Sequence, residues 1–121
     1  MYRLITGLTL AITIAGSAVA LEERQTRPSG LKAQVDLMKQ EVPKRFQCMV
    51  DRIKDDYGDS KTTALLLIKS NVKAYWDIRE GDYPDDIIAG AFNRYPCSFS
   101  TAYTIIKANT EAANELNSLL D

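Results

Sequence analysis

The chain contains no histidine. That absence removes the side chain that changes charge near neutral pH. It also excludes Ser-His and Cys-His nucleophile systems, ordinary zinc sites and c-type haem attachment. No G-x-S-x-G, P-loop or G-x-G-x-x-G sequence occurs, so neither a nucleophile elbow nor a glycine-lined phosphate cradle is encoded. Cysteine is nearly absent too. The two present, Cys48 and Cys97, lack the C-x-x-C spacing and the activating neighbours of a redox pair. The acids Asp55, Asp56 and Asp59 lack the alternating ligands and terminal glutamate of a calcium loop. A pair of carboxylates acting on glycosides is compatible with the composition, but nothing singles out two acids from the sixteen. No catalytic, cofactor-binding or metal-ligating residue is assigned, and the expectation is a protein that is not an enzyme and uses no cofactor.

Long apolar runs are equally scarce. The only one extends from Leu4 to about Ala15, after a single positive charge at Arg3 and before Gly16, Ser17 and the A-x-A pattern Ala18-Val19-Ala20. A run of about a dozen residues is short for a bilayer span, which needs ~20. Small residues stand where a signal peptidase cuts. Residues 1–20 therefore read as a signal peptide cleaved near Ala20, with a periplasmic or secreted product that keeps no stable membrane anchor. The alternatives are a cut after Ala18 or an uncleaved anchor. Residues 21–30, LEERQTRPSG, read as a flexible lead-in, and 31–121 as one domain. In an oxidising compartment an even pair of cysteines is normally bonded, and two cysteines allow one connectivity, Cys48–Cys97. The loop that bond closes is about fifty residues long, worth roughly 4 kcal/mol by chain entropy.

Charge is unevenly placed. The segment from Arg24 to Lys54 is basic (Arg24, Arg27, Lys32, Lys39, Lys44, Arg45, Arg52, Lys54), whereas Asp77, Glu80, Asp82, Asp85 and Asp86 crowd around Arg79. The formal net charge of −1 speaks against nucleic acid as a partner. Such charge runs are ordinarily solvated faces. The functional alternative is that Asp77, Glu80, Asp82, Asp85 and Asp86 contact another protein, acting on association rate and selectivity.

The rest is helical patterning. Leu31, Val35, Met38, Val42, Phe46, Met49, Ile53 and Tyr57 recur in steps of three and four, interrupted at Pro43, which predicts a kinked helix or two helices meeting near Val42. Gly58 closes this element, and Asp59 or Ser60 caps the next, from about Lys61 to Glu80. That helix is apolar around much of its circumference and is expected to be the most buried. Tyr75 and Trp76 on it read as core rather than as a ligand platform. Gly81 ends it, and Asp82-Tyr83-Pro84-Asp85-Asp86 starts a further helix with Ile87, Ile88, Ala91, Phe92 and Tyr95 inward, stopped by Pro96. A last helix from Ser98 or Ser100 uses Ala102, Ile105, Ile106, Ala112 or Ala113, Leu116 and Leu120. The expected fold is all-α, a compact bundle of four to five helices with one disulfide. At 100° per residue Cys48 lies about 200° from Phe46, off the apolar stripe, so a bond to Cys97 would clamp the joint before the last helix from outside.

Two families resemble this layout. The signal peptide, a mature chain near a hundred residues and the single pair Cys48 and Cys97 resemble periplasmic acid-stress chaperones of the HdeA type. That likeness implies a homodimer that opens at low pH and shields unfolding client proteins. The segment Ala91-Phe92-Asn93-Arg94-Tyr95-Pro96-Cys97 is similar to a helix end in the periplasmic immunity proteins that neutralise peptidoglycan amidase toxins of the type VI secretion system. That likeness implies inhibition of a toxin by plugging its active site, with Asp77–Asp86 as a contact surface. The leading expectation is a non-catalytic exported binding protein, an inhibitor of such an amidase ahead of a chaperone, with an undetected cell-wall enzyme third. Intact-mass measurement on exported protein is expected to show loss of residues 1–20 and no free thiol. A retained N-terminus, or two alkylatable thiols before reduction, would overturn these expectations.

Overall fold

The computed structural model describes residues 26–121; the expected signal peptide and residues 21–25 lie outside them. Five helices follow in order: α1 Leu31–Glu41, α2 Pro43–Tyr57, α3 Lys61–Glu80, α4 Asp85–Arg94 and α5 Phe99–Leu120, with no strand among the described residues. The proline divides the first stripe into two helices. Val42 leaves helical geometry at φ −134°, closing α1 through its N–H to the Met38 carbonyl and opening α2 by accepting from Phe46 N–H. Pro43 then takes the first helical position of α2, where its missing N–H leaves no bond unmade.

Each later boundary has a local cause. The Ser60 hydroxyl accepts from Thr63 N–H to start α3, and the Ser98 hydroxyl accepts from Thr101 N–H to start α5. Pro84, at φ −61°, precedes α4, whose first turn holds Asp85 and Asp86 at the positive end of the helix dipole. Gly81 ends α3, and a Cβ there would collide with the ring of Tyr83, which folds back over it.

The core lies where α3 is enclosed by its neighbours. Trp76 and Val72 on α3, Met38 on α1, Met49 on α2, and Phe99, Ala102 and Ile106 on α5 are fully or almost fully buried. Phe99 is the aromatic hub: its ring meets Tyr75 edge-on at 5.8 Å and Phe92 at 5.5 Å between centroids. Trp76 is thus core, as its helix pattern predicted. The disulfide joins Cys48 of α2 to Cys97 of the α4–α5 joint, with Cα atoms 5.0 Å apart.

The lengths of the helices decide the shape of the bundle. After α3, the ten residues of α4, about 15 Å long at 1.5 Å per residue, run back and pack against α5. The start of α5 is therefore brought beside the middle of α3, where Asn71 is buried. Its Oδ1 accepts from Phe99 N–H at 2.8 Å and from Ser100 N–H at 3.2 Å, while its Nδ2 donates to the Leu67 carbonyl at 2.8 Å. Together with Ser98, it satisfies the first three N–H groups of α5. From that level the 22 residues of α5, about 33 Å long, overrun the end of α3. Leu116 and Leu120, expected on the inner face, are instead 55% and 81% exposed because no other helix among the described residues reaches so far. The apolar run on α3 is likewise buried only in its second half, with Leu65 and Leu66 exposed.

Replacing Asn71 with leucine leaves the buried Phe99 N–H without its acceptor, at a cost of about 2 kcal/mol. Urea unfolding is expected to show a lower midpoint with an unchanged slope. An unaltered midpoint would remove Asn71 as the device that places α5.

Candidate functional site

A cleft of about 570 Å³ opens between the α1–α2 junction, the end of α3 and α4. Its floor is apolar and aromatic, with Tyr75, Ile78, Ile88, Phe92 and Phe99 among its lining residues. Its charged lining comes from Glu41, Arg45, Arg79, Asp82 and Asp85.

Two of these charges neutralise each other within the fold. The Arg79 guanidinium, with a side chain only 6% exposed, meets the Glu41 carboxylate through Nε–Oε1 and Nη2–Oε2 contacts of 2.8 Å each. Its other face lies over the Trp76 ring, 4.6 Å from the centroid. The Tyr75 hydroxyl donates to Glu41 Oε1 as well. This cluster ties the C-terminal end of α1 to the C-terminal end of α3. A largely buried guanidinium held on two sides is placed to define a wall rather than to move.

The remaining charges are available. Arg45, on α2, lies over the Phe92 ring at 4.8 Å and has no ion pair among the described residues. Asp82 and Asp85, in the α3–α4 turn and the first turn of α4, are exposed and have no ion pair among the described residues. Tyr83 closes one end of the cleft, its ring edge-on to Tyr103 and the two hydroxyls 3.4 Å apart. That contact, and then partial burial, raise the Tyr83 phenol above its ordinary value.

The five acids named from sequence therefore divide. Asp82 and Asp85 come together at the cleft, and Asp86 is exposed outside its lining. Asp77 and Glu80 are engaged within the chain: Arg27 donates to Asp77 Oδ1 at 2.7 Å and to Glu80 Oε1 at 2.8 Å, and Lys73 reaches Asp77 Oδ2 at 2.6 Å. These contacts tie down the end of the lead-in, assisted by Gln34 Nε2 donating to the Pro28 carbonyl. Partial burial pushes the Asp77 carboxyl up, but the hydrogen bonds and charges of Lys73 and Arg27 outweigh it and hold the group below its usual range.

Sequence reasoning missed Glu41, Arg45 and Arg79 as site residues. Glu41 and Arg79 stand 38 positions apart, and only the packing of α1 on α3 joins them. Arg45 carried one available signal, its place one residue before Phe46 at the edge of the apolar stripe. Among the described residues no cluster of three or more His, Cys, Asp or Glu side chains is arranged to hold a metal ion. No family model, curated protein or solved structure matches the chain.

The Asp77 clamp gives a pH dependence of known sign. A carboxyl depressed in the folded state contributes stability that is present above its unfolded pKa, about 3.9, and that is lost as pH falls through the folded value. Asp77→Asn is expected to lower stability at pH 7 by about 1 kcal/mol. The variant and the parent should converge below pH 3. Chemical denaturation at pH 7, 4 and 2.5 measures both, and a constant difference across that range would count against the clamp.

Proposed function

We propose that this chain is a non-catalytic binding protein whose cleft receives a basic side chain presented by a partner protein, inhibiting that partner. A cell-wall amidase is the partner class expected from the Ala91–Cys97 segment. The observation that carries this reading is the pairing of an aromatic floor with two carboxylates, Asp82 and Asp85, that have no ion pair among the described residues. A lysine or arginine on an apolar stem suits both: the stem lies along Ile88 and Tyr83, and the charge meets the acids. The Glu41–Arg79 pair holds one wall in place before binding, which lowers the ordering cost of association. Arg45, stacked on Phe92 in the same lining, disfavours a second cation and attracts an acid beside the inserted base, so register as well as charge is selected.

A second reading, an acid-stress chaperone, draws on the Arg27–Asp77 clamp, whose charge attraction weakens as Asp77 protonates. The two readings separate at opposite ends of the pH scale. Purified cell-wall amidases are to be titrated with the protein at neutral pH while peptidoglycan hydrolysis is followed. The expected result is tight binding and inhibition of one of them, weakened at least tenfold by the double substitution Asp82→Asn, Asp85→Asn. Absence of inhibition, together with suppression of client aggregation near pH 2–3, would replace the inhibitor reading with the chaperone one. Turnover of peptidoglycan by the protein alone would replace both with an enzyme.

A further inference from the structure

The cleft holds charge of both signs at a spacing that α4 sets. Asp85, Ile88 and Phe92 stand three and four residues apart and all line it, so they form one stripe along that helix. Arg45 of α2 lies over the Phe92 ring, 4.8 Å from its centroid, while Asp82 precedes Asp85 in the α3–α4 turn. From Asp85 to Phe92 the helix rises on the order of 10 Å, which separates the acids from the guanidinium along the floor. Ile88 fills the interval. Glu41 and Arg79, also in the lining, engage each other. There remain a carboxylate pair at one end and a guanidinium at the other, none of them in an ion pair among the described residues. No side chain caps α2, so the positive end of its helix dipole lies beside Arg45.

We propose that the cleft binds a lysine or arginine residue that carries a free α-carboxylate, its cationic end held by Asp82 and Asp85 and its carboxylate by Arg45. In such a residue six bonds separate the carboxylate carbon from the lysine Nζ or the guanidinium carbon, about 7–8 Å when the staggered chain is extended. A hydrogen bond at each end makes up the rest of the interval. The methylene stem covers Ile88, where a polar spacer would be desolvated without a partner. A guanidinium matches a carboxylate bidentately, and its position over Phe92 restrains Arg45 without occupying its N–H donors. Two charges on one residue cost less to order than two side chains of a longer segment. The cleft, at about 570 Å³, falls within the range of small-ligand sites, about 300–1,000 Å³, and has room for the whole residue. The free amino acid and the C-terminal residue of a peptide offer this same chemistry. The inference rests on the reading of Asp82 and Asp85 as receivers of a base, and adds that the base and the acid beside it belong to one residue.

NMR titration of nitrogen-15-labelled protein at pH 7 tests the assignment with four probes: an acetylated peptide ending Ala-Ala-Lys, its C-terminal amide, the same peptide ending in norleucine, and free lysine. The free-acid lysine peptide is expected to shift the Asp85 and Ile88 amide signals and the Arg45 Nε–H signal. It should bind about tenfold more tightly than either the amide or the norleucine peptide, since each lacks one charged contact. Free lysine binding as tightly as the peptide would identify the amino acid as the source, and weaker binding a peptide terminus. Arg45→Gln should reduce the advantage of the free acid over the amide to about twofold or less, and Arg45→Lys should retain most of it. The remaining amide signals of both variants report whether the fold is intact. Equal affinity for free acid and amide would overturn the proposal while leaving the acids as receivers of a base. Equal affinity for the lysine and norleucine peptides would remove that reading too. No shift with any probe up to about 10 mM would overturn the proposal and leave the inhibitor reading to the amidase titration.

Discussion

The side-chain amide of Asn71 sets the height at which α5 begins. Its oxygen accepts two N–H groups from the first turn of α5, and its nitrogen is returned to the backbone of its own helix. A buried amide with these partners is costly to displace, because sliding α5 along α3 would strand donors inside the core. An apolar residue at that level would tolerate several registers. Asparagine selects one, and the packing of Phe99 against Tyr75 and Phe92 follows from it. So does the exposure of the C-terminal leucines, since the start of α5 fixes how far its end projects.

A second polar device works at the opposite edge of the core. The Glu41–Arg79 pair is partly buried, and such pairs are weak sources of net stability compared with a well-packed apolar contact. Their effect is to specify geometry. Glu41 also accepts from Tyr75, and Arg79 covers Trp76, so four side chains fix the angle between α1 and α3. That angle holds one wall of the cleft open beside an otherwise apolar floor. Arg27 performs a related task on the exposed side of α3, where it engages Asp77 and Glu80. The acidic run near the end of α3 therefore serves two purposes, part internal tether and part cleft rim.

The disulfide connects two places that the core does not secure. Cys48 lies off the apolar stripe of α2, and Cys97 lies in a joint with Pro96 immediately before it. Joining them holds the α4–α5 turn to the flank of α2 and shortens the unfolded chain's freedom over 49 positions. In a domain of this size, such a link supplements a core confined mainly to the second half of α3 and its neighbours.

The sequence by itself determined the fold class, the approximate ends of the helices and the off-stripe position of Cys48. These depend on neighbours within a few residues: the Pro43 break, the Ser60 and Ser98 caps, the acids beginning α4 and the steps of three and four. It was least informative about which apolar residues would be covered. Leu116 and Leu120 carry the same periodic signal as Ile106, yet only Ile106 has helices around it. Periodicity reports a face, and whether the face is covered depends on the lengths and registers of other helices. Only the tertiary structure decided that Asp77 and Glu80 would be engaged by Arg27, while Asp82 and Asp85 would line a cleft without an ion pair among the described residues. Charge can be counted along a chain, but whether it is paired or available depends on contacts between residues that packing alone brings together.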